Sequence, residues 1–428
     1  MHVAIVGAGL AGLSAARALR RRGVERITVF ERQPGPGLET SYANGALLHP
    51  SLPEPWNSPG IARELLRHLG REDAAALLRL KALPTLIGWG LQFLRESSPV
   101  RYRHNALANL ALARYSVKEM AAVRAEGIDY SHHPTGSLML FREAAAMDKA
   151  VAWAQGLSDA GRHYETWSTE QAVEAEPALK PIAGDIVGTI YNPDDERGDA
   201  WRYCDALARR LAEEGVTLRY GRTVRRLVVV QGAVKALESS AADGPVERED
   251  FDAVVLAAAN LTPLLARTAG LEVPVRPAKG YSLTLRPPGD TPLPRMAVVD
   301  ATLHVAVVPV GDDRLRIAGT AEFAGLDLSL NPHRLANLWR LLGLVYPEVT
   351  AETPDDRVMP WTGLRPMVPD GVPLIGPTRV PGLFLNTGHG HLGWTLAAGS
   401  AQLLADLMTG HPLEVESPRR YAPARFGL

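Results

Sequence analysis

Residues 3–31, VAIVGAGLAGLSAARALRRRGVERITVFE, decide the fold. The apolar run Val3 to Val6 predicts a short buried strand, the glycines after it a turn, Leu13 to Arg22 a helix, and Ile27 to Glu31 a second strand. Gly7, Gly9 and Gly12 form GxGxxG directly after a strand and at the opening of a helix, the context of a dinucleotide-binding βαβ unit. Gly7 admits the tight turn, Gly9 lets the backbone approach a pyrophosphate, and Gly12 lets helix and strand pack closely. The unpaired amides at the helix start, at Leu10 and Ala11, are offered to the phosphates. Glu31 closes the second strand, where a carboxylate accepts hydrogen bonds from ribose hydroxyls and repels a 2′-phosphate; Arg32 follows it. The turn alone leaves NAD and FAD open.

Outward from this unit, the apolar spacing turns helical from Ile61 to Gly127, with breaks at Pro84 and Pro99. A simple nicotinamide domain would continue instead with a third parallel strand, so the insertion favours FAD. Strand patterns recur at Val216 to Tyr220, Val224 to Val230 and Ala253 to Ala258, after a helix from Asp199 to Glu214. Tyr281 to Arg286, Met296 to Val310 and Leu315 to Phe323 predict a separate antiparallel sheet. Near the C-terminus the strand Leu383 to Asn386 leads into Gly388, Gly390 and Gly393 and a helix from Trp394 to Met408. That helix presents a second positive end, suited to the negative charge of a reduced flavin. The expected partition is one discontinuous domain over 1–50, 195–275 and 356–428, threaded through a second over 51–194 and 276–355.

Composition narrows the class. The 46 Lys and Arg nearly cancel the 47 Asp and Glu over 428 residues, so no overall basic field exists for nucleic acid. The single cysteine, Cys204, excludes an intrachain disulfide and any multi-cysteine metal site, and fits a reducing, cytoplasmic compartment. It falls on the apolar face of its helix, which predicts core packing rather than covalent flavin attachment. No apolar run is long enough to span a membrane, and the N-terminal run lacks the preceding basic residues of a signal peptide. Leu77 to Phe93 carries many apolar residues and few charges. It reads as core, as a lid, or as a peripheral membrane dock with Trp89 as anchor and Arg79, Lys81 and Arg95 meeting headgroups.

Six ordered blocks resemble the D-amino acid oxidase superfamily of FAD enzymes, and most closely the bacterial D-amino acid dehydrogenases of the small-subunit type. They are VAIVGAGLAGLSAA at 3–16, ETSYANGALLHPS at 39–51, PDDERGDA at 193–200, KGYSLTL at 279–285, WTGLRPMVPDGVPLIG at 361–376 and LFLNTGHGHLGWTLAAGSAQLLADL at 383–407. The resemblance covers nearly the whole chain. It implies an α/β fold: a Rossmann-like FAD-binding domain of the D-amino acid oxidase and glutathione reductase type, with an interleaved α+β substrate domain built on an antiparallel sheet. It implies non-covalent FAD, with Thr40, Ser41, Asn44 and Gly45 beside the pyrophosphate and isoalloxazine and Val224 meeting the adenine. Gly390 through Thr395, including Leu392, Gly393 and Trp394, with Gly388 before them, would approach the flavin C2 carbonyl edge.

FAD accepts the hydride in such enzymes, so the protein has to fix a substrate's α-carbon over the flavin. A guanidinium fork suits an amino acid carboxylate, and Arg365, in Gly363-Leu364-Arg365-Pro366, matches the superfamily's carboxylate arginine. His49, Tyr281, His304 and His389 are candidates to line the pocket and tune amine deprotonation. His304 is placed there by sharing a strand face with Ala306 and Val308. His389 and His391 alternate like a metal pair, but no third ligand lies nearby and no metal is expected. Asp194, Asp195 and Glu196 read as a solvated loop. The expected activity is oxidation of D-amino acids to 2-oxo acids and ammonia, with electrons leaving to a quinone or other respiratory-chain acceptor. Oxidation of secondary amines such as D-hydroxyproline, sarcosine or glycine is the alternative, and a non-catalytic dinucleotide sensor the rival from another class.

Overall fold

The computed structural model describes residues 1–67, 72, 74, 76–289 and 291–428; part of the helical spacing expected after Ile61, at 68–71, 73 and 75, lies outside the described residues. The opening unit forms as its pattern predicts. The strand His2–Val6 lies between Arg26–Phe30 and Ala253–Leu256, parallel to both. Thr217–Arg219 and Leu383–Thr387 extend this sheet on its two sides, and Leu374–Pro377 closes it antiparallel as a sixth strand. Because side chains alternate along a strand, the sheet buries both faces. Val3 and Ile5 join a core with the helices Leu10–Arg21, Pro99–Ala125, Ala200–Glu213 and Gly393–Thr409. Ala4 and Val6 join another with the three-stranded sheet Thr223–Val230, Ala233–Ser240 and Glu247–Asp250.

The second sheet has nine strands, mostly antiparallel, and runs from Val358–Met367 through Arg276–Leu285, Arg314–Phe323, Val305–Val310 and Ala297–Asp300 to Ser137–Phe141, Gly188–Asn192 and Glu165–Trp167. Ala76–Leu78 pairs beside Arg314–Phe323. One face packs Tyr281, Leu283, Leu285, Leu315 and Ile317 against the helix Pro332–Val345. The opposite face is turned toward the six-stranded sheet and carries Gly280, Ser282, Ala306, Ala318 and Gly363. A floor of such small residues leaves room for a flat ligand between the two sheets.

Packing redraws the expected partition in two places. The strand Val358–Met367 pairs along its length with Arg276–Leu285, so the chain returns to the six-stranded sheet only after Met367, not near 356. The long helix Pro99–Ala125, from the block assigned to the second domain, buries Leu112, Ala113 and Met120 in the core beneath the six-stranded sheet. Its Ser116 hydroxyl accepts the Gly399 amide at 3.1 Å. The acid cluster is also corrected. Only Asp194 is a surface charge, paired with His163. Asp195 is buried and accepts from the hydroxyls of Ser51 and Ser137, while Glu196 is buried against Arg124. Asp199 caps its helix through the amides of Trp201 and Arg202, as expected of an N-cap acid. Cys204 is buried and free.

Candidate functional site

A cavity of about 600 Å³ runs between the two sheets, within the range of cofactor and ligand sites. Its first stretch is the glycine turn. A Cβ at Gly12 would overlap the carbonyl oxygen of Gly7, and Gly7 itself holds a φ of 110° that L side chains rarely adopt. The helix Leu10–Arg21 therefore starts against the strand with Gly9, Leu10 and Ala11 on the cavity wall and no acid in its first turn. Its orphan amides face the cavity, with the Leu10 amide donating to the Ser41 hydroxyl at 3.2 Å. Glu31 accepts from the amides of Ala8 at 2.9 Å and Gln33 at 2.8 Å. Burial pushes its carboxyl above the ordinary range while those two amides pull it back. Thr223, Val224 and Arg225 border this same end, and Arg32, also on the wall, is paired with Glu39. A turn cleared of side chains and an acid on the cavity wall fit an adenine dinucleotide.

The far end is chemically different. Here the walls are Leu47, His49, Trp56, Trp361, Arg365, His389, His391 and Trp394 over the small-residue floor. His49 and His391 lie face to face with ring centroids 6.4 Å apart, His391 and Trp56 at 5.5 Å, and the Arg365 guanidinium caps Trp56 at 5.3 Å. This stack makes a flat aromatic wall with one charge at its edge. Among the described residues Arg365 is the only charged side chain lining this end, and its one hydrogen bond there goes to the Thr320 carbonyl at 3.0 Å. Burial lowers it to about 10. Burial likewise lowers His49 and His389 to about 4; for His391 burial, then the charges of His49 and Arg365, lower it to about 3. The imidazoles are neutral near pH 7. His389 shares a hydrogen bond of 3.0 Å with Ser400, and the buried Nε1 of Trp394 has no acceptor among the described residues.

Of the residues expected here, Arg365, His49 and His389 converge on this end. Two others do not. Tyr281 borders the cavity, but strand alternation sends its ring to the helical face, where its hydroxyl donates to Glu322 at 2.7 Å. His304 is exposed in the turn between Ala297–Asp300 and Val305–Val310, with φ 53°; the strand begins one residue later, so Ala306 faces the cavity and His304 does not. Among the cofactor candidates, Gly390, Gly393 and Trp394 line the cavity. Gly388 turns the chain with φ 79°, Leu392 is packed in the core, and the buried Thr395 hydroxyl accepts the His49 amide at 3.0 Å. Thr40, Ser41, Asn44 and Gly45 also border the cavity, but Thr40 donates to the Leu364 carbonyl and Asn44 accepts the Ala46 amide. Trp56 and Trp361 escaped the sequence reading, since no local pattern distinguishes a cavity tryptophan from a core one. Among the described residues no group of three His, Cys, Asp or Glu side chains is placed to hold a metal ion.

Comparison with known proteins adds the lineage. Residues 2–407 match the family model DAO, FAD dependent oxidoreductase. A D-amino acid dehydrogenase of Methylobacterium nodulans is 41% identical over 416 residues, 97% of each chain, and one of Sinorhizobium medicae is 39% identical over the full length of both. Among solved structures, glycine oxidase from Geobacillus kaustophilus superposes with a TM-score of 0.76 at 23% identity, covering 98% of this chain and 97% of that one. L-Proline dehydrogenase from P. horikoshii gives 0.75 at 17% identity, covering 99% and 97%. These two likenesses speak for the fold.

Proposed function

The chain belongs to the DAO family of FAD-dependent oxidoreductases, and from that premise we propose that it oxidises D-amino acids to 2-imino acids, which water converts to 2-oxo acids and ammonia. The observation that carries this reading is Arg365: among the described residues, a half-buried guanidinium with no carboxylate partner and the single charge on the aromatic stretch of a dinucleotide cavity. FAD, when bound, supplies the hydride acceptor. Arg365 holds the substrate carboxylate, and its remaining donors make the paired fork that fixes the α-carbon. Trp56, His391 and Trp361 exclude water and enclose the side chain, while Gly280, Gly363, Ala306 and Ala318 leave the floor open. The test is an anaerobic titration with D- and L-amino acids, D-hydroxyproline, sarcosine and glycine, read as flavin bleaching. Bleaching by D-amino acids supports the reading; bleaching by the secondary amines or glycine alone replaces it.

Among the described residues no acidic side chain lines the aromatic end, so the substrate ammonium loses its proton without a carboxylate base. The expected pH profile follows from the signs. The three imidazoles have lowered pKa values, are neutral above about 5, and place no inflection in kcat/KM near the ordinary imidazole value of about 6.5. The rising limb belongs to the substrate ammonium, and activity falls as pH passes about 10 and Arg365 loses its charge. An inflection near neutrality that disappears in His49→Asn or His389→Asn would restore a histidine base.

We further propose that electrons leave to a quinone rather than to oxygen, and that the helix Leu83–Arg95 meets the membrane. The support is an exposed face of Leu83, Ile87, Leu91 and Leu94, with Ile87 65% and Leu91 67% exposed, beside exposed Lys81 and Arg95. The expected anchor is revised. Trp89 is buried, donating to the Pro274 carbonyl and packing with Phe93 and Met367 behind Trp56, and Arg79 is paired with Glu72 and Glu322. No described helix is long and apolar enough to cross a membrane. Ile87→Glu with Leu91→Glu should leave turnover with a soluble dye within about twofold and reduce turnover with membrane-held quinone roughly tenfold or more. Equal losses with both acceptors would make the helix a lid.

A further inference from the structure

Arg365 lies on a strand whose neighbour is irregular at the level of the guanidinium. Between Lys279, opposite Glu322, and Tyr281, opposite Gly319, the pairing slips, so Thr320 and Ala321 together face the single residue Gly280. This is a β-bulge, and Thr320 within it has φ 60°. Left-handed backbone at a β-branched residue is a true outlier, and such strain persists only where surrounding structure enforces it. The Thr320 hydroxyl does not account for it, since Oγ1 is buried without a hydrogen-bond partner. Its carbonyl does: re-aimed by the bulge, it accepts from Arg365 Nη1 at 3.0 Å.

Gly280 completes the arrangement. A Cβ there would overlap the Arg365 guanidinium, so the arginine lies across the backbone of the central strand in a slot only glycine leaves open. Trp56 covers its other side, and the preceding carbonyl, of Leu364, is fixed by the Thr40 hydroxyl at 2.9 Å and the Asn260 amide at 2.7 Å. A flexible, half-buried charged side chain is thereby confined to one direction. One donor is spent on Thr320 and the others remain for a ligand.

We propose that Thr320 is a positioning residue, acting through its strained backbone carbonyl and the Gly280 slot to aim Arg365 at the substrate carboxylate. This rests on the reading of Arg365 as the carboxylate site, and the experiment separates the two. The probe is benzoate, titrated into the flavin-loaded enzyme and followed by the flavin spectrum, with KM and kcat measured alongside. Thr320→Pro fixes φ at about −65° and closes the left-handed region, turning the carbonyl away; it should weaken benzoate roughly 10- to 100-fold and raise KM more than it lowers kcat. Thr320→Gly and Thr320→Asn tolerate φ above zero and should stay within about threefold of wild type. Arg365→Met should abolish benzoate binding. If Arg365→Met binds benzoate normally, the carboxylate reading fails. If it does not, but Thr320→Pro binds like wild type or Thr320→Gly loses affinity as Pro does, the positioning proposal is overturned. Should Thr320→Pro yield no flavin-loaded protein, Gly280→Ala, which leaves the bulge in place and fills the slot, carries the same test: normal benzoate affinity there overturns the proposal.

Discussion

Arg365→Lys should retain its flavin and lose about 2 to 4 kcal/mol of transition-state binding, a fall of roughly 30- to 1,000-fold in kcat/KM for D-amino acids. An ammonium is a point charge on a flexible stem and cannot reproduce the paired donors of a guanidinium, least of all from a slot shaped for a flat group. Arg365→Met should lose more activity and yet unfold at the same temperature as wild type or higher. The reason is the cost of a half-buried cation that has one carbonyl, the face of Trp56 and, among the described residues, no carboxylate for company. Measuring kcat/KM and thermal unfolding on the same flavin-loaded preparations checks both halves. A variant that loses stability and activity together would mean that Arg365 is chiefly a structural member of the sheet.

Gly12→Ala should give protein that purifies without flavin. Its Cβ would overlap the Gly7 carbonyl and also approach Ala257, so the helix Leu10–Arg21 must lift from the strand His2–Val6, taking its amides away from the phosphate position. Overpacking of a close helix–strand contact costs about 1 to 3 kcal/mol before any cofactor contact is lost, and together the two should lower FAD affinity by roughly 100-fold or more. Gly184→Ala is the control: nothing lies within 4 Å of its Cβ position. Flavin absorbance per protein after dialysis reads the difference. Normal flavin content in Gly12→Ala would show that the helix moves freely against the sheet.

The parts of this molecule that could be read in advance are those whose physics is local. A strand, a glycine turn and a helix follow one another within residues 2–21, and their geometry depends on no distant residue. The same holds for Asp199 as a helix cap. Arg365, His49 and His389 were legible through a family pattern rather than through spacing. What failed depended on register and on tertiary burial. Tyr281 lies one residue from Gly280 and Ser282, and one residue is enough to turn a side chain to the opposite face. His304 was lost because a strand began at Val305. Asp195 looks like a loop acid until Ser51 and Ser137, far away in the chain, are folded against it. The aromatic wall joins residues 49, 56 and 391, which only the closed fold brings into line.

The way the six-stranded sheet is assembled bears on how the protein is made. Its first strand finds neighbours at Arg26–Phe30 at once, but its other neighbour, Ala253–Leu256, leaves the ribosome more than two hundred residues later, and the covering helix Gly393–Thr409 more than one hundred residues after that. Long-range closure of this kind is slow and leaves apolar edges uncovered in the interval. The nucleotide turn therefore waits through more than three hundred residues of synthesis for the helix that seals its sheet. Nascent chains arrested before residue 393 should hold no flavin and engage chaperones, whereas chains extended well past Thr409 should hold it.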